Sequence, residues 1–211
     1  MIKKHITIVK VKEYIVIQVK KINQRLSNSI MRKMKIEENF SGEEGEIIHY
    51  MLITSISEME KILLLFLIFF VLGQAKNFLW VCLVTLLTHP FTGGLHRETF
   101  WGCFFQSLLF FTEVIVFGHF IKLSVHAIPI VFLCSLVVYI LYVPTASEKR
   151  GEYGKESKKR IRKIAIAGMS IVSIMSFFFS VCRSFFLWVL ILEDLELLLL
   201  NTLKKKEEQR K

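Results

Sequence analysis

Five mainly apolar stretches, residues 62–89, 104–125, 128–143, 164–181 and 185–200, alternate with three blocks rich in Lys and Arg. That alternation leaves few folds open. An apolar run near the length of a bilayer crossing must satisfy its own backbone N–H and C=O groups, and an α-helix does so within the segment. The basic blocks are the first 35 residues, residues 149–163 with eight Lys/Arg, and residues 204–211 with five. Lys and Arg gather on the cytoplasmic side of membrane proteins, so all three blocks are expected there. The expected fold class is therefore all-α: a polytopic transmembrane helical bundle preceded by amphipathic helices. The chain is 53% hydrophobic, contains 19 Phe and carries a net charge of +10. The basic residues flank apolar runs instead of forming a separate face, so the charge marks membrane topology and no nucleic-acid partner is expected.

The number of segments follows from the same blocks. Residues 62–89 are apolar except for Gly73-Gln74-Ala75-Lys76-Asn77, and form either one interrupted span or a hairpin. One span would put three crossings between the first basic block and the second, leaving eight positive charges outside. A hairpin gives six segments, with both termini and residues 89–103 cytoplasmic. Its arms hold only about 12 to 16 apolar residues where ~20 are usual, so they are expected to be re-entrant or to sit in thinned bilayer. In the last run Glu193, Asp194 and Glu196 interrupt the apolar pattern, which suggests a helix lying partly in the interface.

Residues 1–21 form a basic extension with Lys at 3, 4, 10, 12, 20 and 21, no unbroken apolar core and therefore no expected secretory signal peptide. Helix and strand stay open there. From Ile22 a helical stripe of Ile22, Leu26, Ile30 and Met34 appears. It reads either as a helix packed on its own protein or as one lying on an anionic membrane surface. Ser41-Gly42-Glu43-Glu44 has the form of a capping box, so a second helix is expected to start near Gly42 and to reach the bilayer near Glu58, Glu60 and Lys61. Residues 22–61 are thus an amphipathic cytoplasmic portion, 62–203 the membrane domain and 204–211 a basic tail.

One stretch interrupts the apolar chain with chemistry: His89-Pro90-Phe91-Thr92-Gly93-Gly94-Leu95-His96-Arg97-Glu98-Thr99-Phe100-Trp101-Gly102-Cys103. A thiol beside an imidazole is the minimal nucleophile and base for acyl transfer. His96 and Cys103 are seven apart, so one continuous helix would separate their Cα atoms by ~10.5 Å, too far for a hydrogen bond. The chain between them must break, and Gly93, Gly94 and Gly102 permit it, with Gly102 the expected point. His89, His96 and Cys103 recur at seven-residue spacing, but a straight helix would spread them over ~21 Å, so no metal site is expected. Glu98 is the acidic residue near enough in sequence to orient His96. His5, His49, His119 and His126 read as structural or surface residues. Cys82, Cys134 and Cys182, in apolar runs and without CxxC spacing, read as packing.

The motif Gly93-Gly94-x-His96 with Cys103 seven residues on, in a small polytopic chain, resembles the accessory gene regulator B (AgrB) family of membrane cysteine endopeptidases. The amphipathic lead-in from Ile22, the acidic stretch Glu43-Glu44-Gly45-Glu46-Ile47-Ile48-His49-Tyr50, and Val143-Pro144 before a basic loop are in family order, so the resemblance covers roughly residues 22–200. It implies that His96 and Cys103 are the catalytic pair and that Gly94 is the family's Gly. Members commonly carry Arg seven residues before the catalytic His, where this chain has His89, which lacks the fork and permanent charge of a guanidinium. Arg97 follows the His where a small residue is usual.

The implied activity is cleavage of a short amphipathic, AgrD-like propeptide at the cytoplasmic face through an acyl-thioester on Cys103, without cofactor. A Cys or Ser of the substrate would then capture the acyl group and release a cyclic autoinducing peptide for quorum sensing. The implied partners are that propeptide, the lipid bilayer and, as a candidate, a second copy in a homodimer. Two other readings stay open: a small transporter or export component, and a catalytically silent scaffold that binds the peptide uncut.

Overall fold

The computed structural model describes residues 28–29, 42–92, 99–144 and 154–208. Among these residues the fold is all-α, with six helices and no strand: α1 Gly42–Val71, α2 Ala75–Thr92, α3 Phe100–Phe120, α4 Ala127–Tyr142, α5 Lys155–Phe178 and α6 Arg183–Glu208. The chain divides into two compact units, residues 1–67 and 68–211. The basic extension, the whole stripe of Ile22, Leu26, Ile30 and Met34, and Ser41 lie outside the described residues.

In the first unit α1 begins at Gly42, where the capping-box pattern put a helix start. Residues 28–29 are helical, and His49 Nε2 lies 2.7 Å from Asn28 Oδ1, so His49 has a structural hydrogen bond. Lys61 pairs with Glu58 at 2.7 Å, one turn earlier on the same helix. Residues 42–61 and the apolar residues after them form one unbroken helix of 30 residues.

The second unit begins with the end of α1. Gly73 sits at φ +70°, a left-handed conformation that a side chain disfavours, and it turns the chain within Leu72–Gln74. Residues 62–89 are thus two helices joined by a tight turn, the hairpin alternative. Phe69 stacks on Phe78 across that turn, with ring centroids 5.1 Å apart.

The turns joining α3 to α4 and α5 to α6 meet at one end. Leu123 N–H donates to Ser184 Oγ at 2.9 Å, and Trp188 Nε1–H donates to the Ile121 carbonyl at 3.2 Å. Helix α6 packs against α2, α3, α4 and α5, and around it α3, α2, α5 and α4 follow one another, each against the next. Phe186, Leu187, Val189 and Leu190 of α6 are fully or almost fully enclosed, with Val81 and Val84 from α2, Val114 from α3, Tyr139 from α4 and Met169 and Val172 from α5.

The acidic residues that suggest an interfacial last run face other helices of the unit. Glu193 and Asp194 are buried and Glu196 is half-buried, and hydroxyl and amide donors on three other helices meet them. Outward faces stay apolar: Leu109 of α3, Ile130 and Leu133 of α4, and Ile174 and Phe177 of α5 are all exposed. Helices α3 and α5 are long and apolar enough to cross a membrane by length and composition, and α4 is apolar over 16 residues.

Helices α2 and α5 approach at backbone distance, because a Cβ placed on Gly168 would run into the Leu87 carbonyl oxygen. Overpacking at such a contact costs about 1–3 kcal/mol. Gly168→Val is therefore expected to lower the melting temperature of the purified protein, followed by circular dichroism. Gly154→Ala, where no atom lies within 4 Å of the added carbon, is expected to leave it nearly unchanged.

Candidate active site and buried acidic cluster

Cys103 occupies the first turn of α3. Thr99 is the N-cap, with extended φ −106° and ψ 141°, and its Oγ1 accepts from Gly102 N–H at 3.1 Å. Cys103 N–H then donates to the Thr99 carbonyl at 3.1 Å, closing the first helical turn. A Thr at this position satisfies a donor that the helix itself cannot. The break between His96 and Cys103 is therefore at Thr99, and the expectation that placed it at Gly102 is corrected: Gly102 is inside the first turn, held by the Thr99 hydroxyl.

The Cys103 residue is half-buried, on a turn rich in aromatic rings. Trp101 meets Phe100 at 5.6 Å and Phe104 at 5.7 Å, edge to face. Gly93, Gly94, His96, Arg97 and Glu98 lie outside the described residues. Their flanks are defined: α2 ends at Thr92, buried and with its hydroxyl donating to the His89 carbonyl at 3.1 Å, and α3 begins beyond Thr99.

His89, on the last turn of α2, faces α6. Its Nδ1 lies 3.7 Å from Glu193 Oε1, an ion-pair separation longer than a hydrogen bond, with the imidazole 39% and the carboxylate 1% exposed. Glu193 also accepts from Thr88 Oγ1 at 2.7 Å and from the Tyr139 hydroxyl at 3.0 Å. Its neighbour Asp194 accepts from Ser135 Oγ at 2.6 Å. Glu196 accepts from Gln106 Nε2 at 3.1 Å. One acidic stretch of α6 thus binds α2, α3 and α4.

In the sequence these acids interrupt the apolar pattern of the last run. The available signal was their presence in an apolar run, where carboxyl groups face the bundle interior and require partners. Ser135 and Tyr139, four apart on α4, form the matching polar face. Among the described residues no group of three or more His, Cys, Asp and Glu converges to hold a metal ion. Cys82 is buried and Cys134 exposed. Cys182 lies in the turn between α5 and α6, where burial pushes its thiol above the ordinary value while nearby Lys76 pulls the other way.

The profile described as accessory gene regulator B matches residues 23–200, which contain every element from α1 to the acidic stretch of α6. The chain belongs to the accessory gene regulator B family. An AgrB-like protein of Clostridium beijerinckii is 28% identical over 130 residues, covering 61% of this chain and 65% of its own length, just under two thirds. AgrB-like protein 1 of Clostridium perfringens (strain 13 / Type A) is 27% identical over 165 residues, covering 77% and 87%. No solved structure matches. Membership of this membrane-associated family agrees with the two helices long and apolar enough to span.

The hydroxyl donors of the acidic cluster carry a measurable consequence. A buried acceptor that loses its donor costs about 1–3 kcal/mol. Tyr139→Phe and Thr88→Val are each expected to destabilise the protein by that order, read by chemical unfolding in detergent. In a Glu193→Leu background both losses should shrink, since the acceptor has gone, and a double-mutant cycle measures the coupling.

Proposed function

We propose that this AgrB family member is a membrane-embedded cysteine endopeptidase that cleaves an AgrD-like propeptide at the cytoplasmic face. The observation that carries this reading is the placement of Cys103. It stands on the first turn of a helix whose cap directly follows the segment holding His96. The thiolate of Cys103 attacks the scissile carbonyl while His96 takes the thiol proton, and the imidazolium then protonates the leaving amine. The acyl fragment remains as a thioester on Cys103. Capture by a nucleophile within the fragment gives a cyclic peptide, consistent with the accessory role in quorum sensing that family membership implies. This chemistry draws on a thiol and an imidazole and calls for no metal or cofactor.

The membrane setting is part of the proposal. Apolar side chains cover the outward faces of α2 to α6, more than a water-soluble surface tolerates and what lipid solvates. The helix ends flanking residues 93–98 and 145–153 lie opposite the Leu123–Ser184 end, together with the end of α6. The basic residues of 149–163 and 204–211 support a cytoplasmic position for that end, in a topology of six membrane segments with cytoplasmic termini. Helix α4, with a rise of ~24 Å, is shorter than the ~30 Å hydrocarbon core, so the bilayer is locally thinned beside it. Residues 62–203 act as the peptidase domain and 22–61 as its amphipathic cytoplasmic portion. The basic extension 1–21 and tail 204–211 flank them.

Two experiments test this. Co-expressed with a cognate AgrD-like precursor, Cys103→Ser and His96→Ala are each expected to lose cleavage to background by gel and mass spectrometry. Cys82→Ser, Cys134→Ser and Cys182→Ser should retain it. Cleavage by Cys103→Ser at the parent rate would leave the transporter or scaffold readings. In intact cells, a cysteine placed at residue 155 should resist an impermeant maleimide, and labelling from outside would invert the topology.

A further inference from the structure

Glu193 and Glu196 are three residues apart on α6 and therefore share a face of it, yet they reach different helices. Glu193 accepts from Thr88, one turn before α2 ends at Thr92. Glu196 accepts from Gln106, less than one turn beyond Cys103 on α3. The segment carrying His96 joins those two helix ends, so each of its anchors is held by a carboxylate from the same turn of α6.

We propose that Glu193 and Glu196 are positioning residues of the peptidase. Acting through Thr88 and Gln106, they fix the spacing and register of the end of α2 and the start of α3, so that His96 meets the Cys103 thiol. The inference rests on the cysteine-peptidase reading and adds a clamp to it.

The energetics argue against a packing role. Helix α6 already buries Phe186, Leu187, Val189 and Leu190, and a further apolar residue would fill position 193 without removing a carboxylate from water. Carboxyl groups inside an apolar bundle are costly, and their hydrogen bonds contribute direction, which an aliphatic contact lacks. Direction matters for Cys103. Gln106 is only ~4.5 Å further along the helix axis, and a slip of α3 by one residue would rotate both side chains by about 100°.

The test uses iodoacetamide on the full-length protein in liposomes, with Cys82→Ala, Cys134→Ala and Cys182→Ala leaving Cys103 as its one thiol. Thiolate and not thiol is alkylated, so an imidazole within reach speeds the reaction, and His96→Ala sets the rate without it. Gln106→Leu and Glu196→Leu are expected to slow alkylation at pH 6.5 by about tenfold, to the His96→Ala rate. Neither should slow it further when combined with His96→Ala. Glu196→Gln keeps an acceptor for Gln106 and should stay within about twofold of the parent. Melting temperatures confirm folding, and Gln106→Asn, too short to reach Glu196, replaces Gln106→Leu if that variant does not fold. A fall with His96→Ala but parent rates in Gln106→Leu and Glu196→Leu overturns the clamp alone. Parent-rate alkylation of His96→Ala overturns the dyad and the clamp with it.

Discussion

The second unit depends on the burial of acidic side chains in α6. A carboxylate removed from water loses solvation that only donors can replace, so buried Glu193 and Asp194 and half-buried Glu196 each meet a polar group at a defined place on another helix. Thr88, Ser135, Tyr139 and Gln106 supply them. Apolar packing allows helices to slide and rotate past one another at modest cost. Four hydrogen bonds to one stretch of α6 remove that freedom for α2, α3 and α4 together.

Close backbone approach completes the arrangement where polar contacts end. Gly168 lets α5 reach the Leu87 carbonyl on α2, one residue before Thr88, and Gly118 receives the Phe185 ring where α3 meets the start of α6. Small residues at helix crossings suit a lipid setting, in which no hydrophobic force drives helix to helix and packing must supply the attraction. Helix α5, which contributes none of the four hydrogen bonds to the acids, is thus held by fit against α2, α4 and α6.

What was legible in the sequence follows range of interaction. The hairpin at Gly73 and the helix start at Gly42 depend on residues within a few positions, and both were readable. The role of α6 was not. Glu193 meets Thr88 across 105 residues and Tyr139 across 54, and Gln106 meets Glu196 across 90, separations at which no local period carries a signal. Read locally, three acids in an apolar run weaken a membrane helix; read with their partners, they make it the central one. At the candidate site, residue type and family resemblance point to Cys103, whose role is the proposal made above. The start of α3 belongs to Thr99 and not to Gly102, because a hydroxyl that accepts a first-turn N–H specifies a helix start more strongly than conformational freedom does.

Where α3 begins decides what the thiol can do. On one continuous helix His96 and Cys103 would stay ~10.5 Å apart whatever the rest of the fold did. With the cap at Thr99, Cys103 belongs to α3 and His96 precedes that helix. Residues 93–98 join the end of α2 to the start of α3, and both helices bond through Thr88 and Gln106 to α6. In the proposed reading, the pairing of His96 with Cys103 is a property of the assembled bundle, so that a contact made by Glu196, 93 residues from Cys103 in sequence, bears on the reactivity of the thiol.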